Sequence, residues 1–333
     1  MQEKKPTIFW SYLPACALLL ISFLCCQPSY ARDLQTVSKS HSSTSDDIDL
    51  TAIRFSYLSN QREYFWPYAE LSDSEWDWGI DAHHYHGQTS GTDFNGQHLE
   101  GIIGWRYSES SYLNGRFGFH RLDVADQNDT RSRPTYDLNA HFGLADDFDL
   151  QINVTDDYVY ALGMQPAGAR EFLHADQWQM SFDYRVSDTV RMSGTASLWS
   201  LSDSNSRRQH SASLLYGISP VQPWIWAGVS YEYLRFFHAK PGYWTPYDYL
   251  SVNLVFESSF PIFENLSGAL SASLSKIKED QNPVGDGDSF NAGLDYALTE
   301  NITLRVGISR ITSVQSGSGW YEESYYLSLN GAF

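Results

Sequence analysis

From Ile48 to the last residue, apolar and polar side chains alternate with a period of two, in stretches broken by polar connections. Phe148, Leu150, Ile152 and Val154 interleave with Asp149, Gln151, Asn153 and Thr155. Trp178, Met180, Phe182 and Tyr184 alternate with Gln179, Ser181 and Asp183, and Ile302, Leu304, Val306 and Ile308 with Thr303, Arg305 and Ser309. Successive side chains of a strand point to opposite faces, so each stretch is a strand with one apolar and one polar face. About 16 such segments follow one another. They lie at 48–58, 63–71, 75–85, 97–107, 111–121, 134–144, 147–158, 173–185, 188–200, 207–218, 222–235, 246–257, 264–276, 288–298, 301–311 and 320–333. Most are near the roughly 9–11 residues with which a tilted strand crosses an outer membrane.

The connections carry a second regularity. After even-numbered segments they are mostly tight, as at 108–110, 145–146, 187 and 299–300. After odd-numbered segments they are mostly long, as at 87–96, 123–133, 159–172, 236–245 and 279–287. Short turns on one side and long loops on the other are expected of an outer-membrane barrel with both termini in the periplasm. A soluble sandwich has no reason to sort its loops this way. Of the mature prolines, Pro67 alone falls in the middle of a segment of this map, where it marks a bulge; the others lie in connections or at segment starts. The predicted class is all-β, a transmembrane antiparallel up-and-down β-barrel spanning 48–333.

Lys4 and Lys5 precede an apolar run from Leu13 to Cys26, followed by Ser29-Tyr30-Ala31. A charged region, a short apolar core and a small-x-small site predict a secretory signal over 1–31, cleaved after Ala31. The run is shorter than the roughly 20 residues a spanning helix needs. Leu24 before Cys25 is too large for a lipoprotein signal. Residues 32–47 are polar and serine-rich, and read as a flexible periplasmic lead. All three cysteines, Cys16, Cys25 and Cys26, fall in the signal, so the mature chain has neither disulfides nor thiolate chemistry.

The net charge of −18 becomes one unit more negative once Glu3, Lys4 and Lys5 are removed. That excludes nucleic acid as a partner, because phosphates need a basic surface. An aromatic content of 15% is too high for a disordered acidic chain and suits rings at two membrane interfaces, with outer-membrane lipid as the surrounding partner.

In such a barrel the polar faces turn inward. They bring in Asp81, Glu100, Asp137, Asp157, Glu232, Asp295 and Glu322, with Arg106, Arg116, Arg191 and Arg305 among them. The same faces carry Tyr85, Trp199, Trp226, Tyr249, Trp320 and Tyr326. Rings beside carboxylates suit a sugar chain, whose C–H face stacks while its hydroxyls hydrogen-bond. They also suit plain packing and charge balance across a lumen. A net acidic channel favours neutral or cationic solutes.

Asp81-Ala-His83-His84-Tyr85-His86 is the one histidine cluster along the chain. On a strand His84 and His86 share one face and His83 the other, so no metal site is expected there. His210 and Ser211 point apart and cannot pair as base and nucleophile. His141 beside Asp137 or Asn139 is the nearest approach to a hydrolytic pair. No phosphate loop, dinucleotide fingerprint or zinc-hydrolase helix occurs. No catalytic residue and no cofactor are expected.

The last segment places Tyr325, Leu327, Leu329 and Gly331 on one face and ends on Phe333. It resembles the closing strand and assembly signal of bacterial outer-membrane β-barrels, which implies insertion by the barrel assembly machinery. Ahead of segment 12 the chain reads Pro241-Gly242-Tyr243-Trp244-Thr245-Pro246-Tyr247-Asp248-Tyr249-Leu250-Ser251. This resembles the Gly-Tyr-aromatic-Ser/Thr-Pro-x-x-Tyr-Leu segment in the carboxy-terminal barrel of the bacterial cellulose-synthase secretion subunit. Porins exporting other exopolysaccharides, such as poly-N-acetylglucosamine, are similar in plan. The resemblance implies a barrel that passes a nascent polysaccharide outward without catalysis, with Gly242, Tyr243, Trp244, Pro246 and Tyr249 as strand entry and sugar contact. Those subunits carry a long helical-repeat scaffold ahead of the barrel. With only 32–47 here, either a separate periplasmic scaffold supplies that arm or this barrel does something else. The expectation is therefore an exopolysaccharide export pore. The alternatives are a general or small-solute porin, a barrel enzyme acting on lipid or peptide, and an adhesive barrel.

Overall fold

The computed structural model describes residues 32–43, 47–58, 76–89, 92–108, 110–127, 129–162, 166–240, 243–299, 302–315 and 317–331. Among them sixteen strands follow in chain order. The first eight are β1 Arg32–Ser43, β2 Asp47–Leu58, β3 Trp76–Thr89, β4 Thr92–Ser108, β5 Ser111–Val124, β6 Asp129–Ala145, β7 Phe148–Tyr158 and β8 His174–Ser187. The second eight are β9 Val190–Leu201, β10 Ser206–Ser219, β11 Trp224–Phe236, β12 Tyr249–Phe263, β13 Leu266–Glu279, β14 Gly285–Thr299, β15 Ile302–Gln315 and β16 Ser318–Gly331. Each strand pairs antiparallel with its neighbours in sequence, and β16 pairs back onto β1, closing the barrel. A closed wall leaves no edge, and its main-chain groups are satisfied within the ladder, as hydrocarbon surroundings demand. No helix among the described residues is long and apolar enough to cross a membrane.

The two faces are sorted by chemistry. On β4, Leu99 and Ile103 stand out from the wall while His98, Glu100 and Ile102 are buried inside. Phe119 on β5 is 68% exposed and its neighbour His120 is 0% exposed. On β12, Leu250, Val252 and Leu254 project outward while Tyr249 and Ser251 are buried. An apolar exterior around a polar interior inverts the logic of a soluble protein and is that of a membrane barrel. Rings gather near the turn end of this exterior, where Trp76 stacks on Trp105 at 6.0 Å and Trp105 meets Tyr107 at 5.5 Å.

From β3 onward the strands lie close to the sequence map. The amino-terminal end requires a correction. Residues 32–47 do not form a separate lead, since Arg32–Ser43 is β1, with Val37 opposite Ile53 on β2 and Leu327 on β16. A serine-rich strand offers no apolar alternation to read, yet main-chain pairing on both sides places it in the wall. The sequence segment 63–71 with Pro67, the signal over 1–31, Gly242 and Phe333 lie outside the described residues.

The loops are also sorted less strictly than expected. The connections expected at 87–96 and 123–133 are largely strand: β3 runs to Thr89 and β4 starts at Thr92, while β5 runs to Val124 and β6 starts at Asp129. Ladder hydrogen bonds there join polar pairs such as His86–Asn95 and Asp123–Thr130, which hydropathy does not mark as strand. Two long connections stand at the loop end, 159–173 after β7 and 237–248 after β11.

Candidate functional site

The inner wall of β2–β7 carries a charged network built by register. His83, His98 and His120 lie opposite one another on β3, β4 and β5. One step along, Asp81 lies opposite Glu100. Asp81 accepts from Arg54 Nη2 at 2.6 Å and Arg116 Nη1 at 2.9 Å, and His83 Nε2 lies 3.1 Å away. Two guanidiniums and an imidazole thus surround a carboxylate with no solvent access, which is what burial of that charge requires. Beside it, His98 Nε2 lies 2.8 Å from Thr135 Oγ1 and 3.2 Å from Glu100 Oε1. His120 Nδ1 lies 2.7 Å from Asp157 Oδ1, and the rings of His98 and His120 stack at 4.6 Å.

Connection 159–173 turns into the barrel over this network. Its short 3-10 helix, Pro166–Glu171, contacts β2, β3, β4 and β5, which lie around the wall from the β7 and β8 strands it joins. The hydroxyl of Tyr160 reaches His120 Nε2 at 2.6 Å, and its ring packs edge-on against Tyr85. Phe94, Leu122, Val124, Tyr158, Ala169 and Phe172 complete an apolar cluster around them. Burial pushes the Tyr160 phenol well above its ordinary range.

Connection 237–248 folds in from the other side. Tyr243 donates to Asp203 Oδ2 at 2.9 Å and accepts from Asn205 Nδ2 at 3.1 Å, and burial again raises its phenol. Trp244 Nε1 donates to Glu279 at 2.6 Å, and the carbonyl of Pro246 accepts from Phe236 N. Tyr243 shares one apolar cluster with Val159 and Leu173 of the first connection and with Trp199, Phe236, Tyr249 and Ile277 of the wall. Both connections therefore pack onto one apolar cluster at the loop end of the wall.

The remaining residues singled out from sequence lie on the inner face of β9–β16. Trp199 and Tyr249 stand at the mouth, Trp199 beneath the Arg207 guanidinium at 4.7 Å and Tyr249 with its hydroxyl 3.3 Å from Ser313 Oγ. Trp320 lies opposite Ser313 at the same level, and its buried Nε1 has no hydrogen-bond partner. Below them, Glu232 accepts from Gln209 at 2.6 Å and Glu322 lies opposite Ile311. Tyr326 lies flat over Gly307, where an added Cβ would fall 2.2 Å from its ring. Asp295, paired with Arg305 at 2.7 Å, and Trp226, opposite Glu257, are nearest the turn end. Hydroxyls and amides fill the intervals: Ser193–Ser213 and Ser273–Ser289 at 2.7 Å, and Asn253–Ser230 at 2.9 Å. Tyr85 stands apart from this series, on the charged half under Tyr160.

Sequence reading missed the meeting of His98, His120 and Asp157. It looked for histidines close along the chain, whereas these converge across three strands. His84 and His86 are exposed, His86 meeting Asn95 at 2.9 Å. His141 pairs with Asp149 at 3.1 Å rather than with Asp137, and stacks on Tyr112.

The fold is similar to a solved structure described as a bacterial polysaccharide outer membrane secretin. The TM-score is 0.68 and the identity 13%, over 90% of this chain and 99% of that one. The CymD monoaromatic hydrocarbon channel is similar at a TM-score of 0.48 and 8% identity, over 96% of this chain and 92% of that one. Pseudomonas aeruginosa OccK11 (OpdR) is similar at a TM-score of 0.47 and 8% identity, over 92% and 98%. No protein-family model matches the sequence, and no curated protein matches it. At such identities the likeness is one of fold, an outer-membrane β-barrel.

Proposed function

We propose that this barrel is an outer-membrane pore for export of an exopolysaccharide, cellulose-like or poly-glucosamine-like, moved by a synthase elsewhere and without chemistry in the barrel itself. The observation that carries the reading is the inner face of β9–β16. There, rings and carboxylates recur from Trp199 and Tyr249 at the mouth to Trp226 and Asp295 near the turn end, with serine and asparagine side chains between them. A sugar chain needs such alternation of stacking faces and hydrogen-bonding groups. The fold likeness to a polysaccharide secretin supports it. The charged half of the wall, occupied by connection 159–173, is then the gate side, and β9–β16 the track. The partners in this reading are the polymer, the barrel assembly machinery and a separate periplasmic scaffold.

The test is single-channel conductance of the refolded barrel in a planar bilayer, titrated with neutral, cationic and anionic oligosaccharides. Export predicts current blocked by glucan or glucosamine oligomers, with the block weakened about tenfold by Trp226→Ala, the loss of one stacked ring of about 1–1.5 kcal/mol. Current indifferent to every oligosaccharide would remove the reading.

A further inference from the structure

His98, His120 and Asp157 offer three donor atoms within 4.8 Å of one another, and all three residues are buried. Each imidazole turns Nδ1 toward the same carboxylate, at 2.7 Å for His120 and 3.6 Å for His98. Donors bound to one tetrahedral zinc ion stand about 3.3 Å apart. The outward nitrogens are held as well, His98 Nε2 by Thr135 and Glu100 and His120 Nε2 by the Tyr160 hydroxyl. A ligating histidine donates its second ring N–H to such a partner, which fixes the ring and frees the other nitrogen to coordinate.

Charge balance points the same way. Asp81 has the guanidiniums of Arg54 and Arg116. Among the described residues, the ion-pair partners of Asp157 and Glu100 are imidazoles alone. Two carboxylates buried this close together call for positive charge beside them. A divalent cation between Asp157 and the two Nδ1 atoms supplies it.

We infer that His98, His120 and Asp157 form a binding site for a divalent transition metal of the zinc class. Two imidazoles and one carboxylate select such an ion over calcium or magnesium, which take oxygen donors. Asp157 lies two residues before connection 159–173, and Tyr160 touches the ligand His120. The ion therefore ties β4 and β5 to the root of the inward loop and holds that loop down. The inference stands whichever solute the lumen carries.

The experiment uses the full chain in detergent, without an affinity tag, stripped with a chelator and titrated with Co²⁺ and then Zn²⁺. One equivalent of Co²⁺ with visible ligand-field absorption is expected, displaced by Zn²⁺. His120→Asn and His98→Asn should each weaken binding at least tenfold, while His84→Ala with His86→Ala leaves it unchanged. Heat-dependent gel mobility checks that each variant is a folded barrel. Hydrogen exchange on the native protein gives a measurement free of variants: Zn²⁺ should slow exchange across 94–100, 118–122 and 157–173. Absence of saturable Co²⁺ binding, binding that survives His98→Asn with His120→Asn, or Zn²⁺ protection confined to 83–88 would each overturn the site.

Discussion

Tyr160 occupies the space that a side chain at Gly96 would take: a Cβ on that glycine would fall 2.2 Å from the Tyr160 hydroxyl and 3.0 Å from His120 Nε2. The glycine is thus the seat of the inward loop, a flat place on the wall where a ring can reach a histidine behind it. Replacing it should act on the loop and leave the barrel whole.

Gly96→Val is expected to displace Tyr160 and weaken docking of 159–173 by about 1–3 kcal/mol, the usual cost of overpacking. Heat-dependent gel mobility should be unchanged, protease cleavage within 159–173 faster and single-channel conductance larger. Unaltered conductance and cleavage would mean that the loop is not seated there.

Asp81→Asn removes the carboxylate shared by Arg54 and Arg116. Breaking a fully buried pair costs about 3–5 kcal/mol, but both arginines keep solvent access, so about 2 kcal/mol is expected. Equilibrium urea unfolding in detergent would measure it. A loss below about 0.5 kcal/mol, the scale of an exposed pair, would refute the structural role given to Asp81.

The loops should loosen in alkali. The phenols of Tyr160 and Tyr243 are raised by burial, so their folded values lie above the unfolded value of about 10. The protonated form is the one the folded state prefers. The contribution is fully present below about pH 10 and is lost as pH rises through the folded values. Protease sensitivity of 159–173 and 237–248 should stay flat from neutral pH to about pH 9 and rise beyond about pH 10. Phenolate absorbance should show both tyrosines lagging the exposed ones. Tyr243→Phe should weaken the second loop by about 1–2 kcal/mol at neutral pH, through the lost bonds to Asp203 and Asn205.

Leu254 is 63% exposed near the middle of β12 and opposite Val229 and Leu274, so it faces hydrocarbon in the membrane. Leu254→Arg should cost about 2–4 kcal/mol in lipid vesicles. Ser271→Arg, on the inner face opposite Glu257, should cost less than about 1 kcal/mol. Equal costs would contradict the assignment of faces.

The barrel was legible because lipid imposes a period of two on the wall. Tyr325 and Leu327 had to face out and Tyr326 and Ser328 in, and they do. β1 was illegible for the opposite reason: its place rests on main-chain pairing to Leu327 and Ile53, which serine permits and hydropathy does not register. Hydropathy does not mark the upper parts of β3 to β6 as strand, because strands beyond the hydrocarbon need no apolar face. In the site, parity alone placed Trp226, Glu232, Tyr249, Asp295 and Tyr326 on the inner wall. It did not bring His120 to Asp157, because that contact depends on registers across two hairpins. Nor did it turn Tyr160 inward, which is decided by a glycine on a distant strand.

One ladder differs from all the others. Every pairing but one joins strands consecutive in the chain and can form as a local hairpin. The β1–β16 seam brings Arg32 beside Gly331, so nearly the whole cost of ring closure falls on a single contact. That seam is expected to form last in assembly and to part first under denaturant, leaving a curled sheet with two raw edges that invite aggregation. The durability of the pore in the membrane is then set by the register of its plainest, most serine-rich strand.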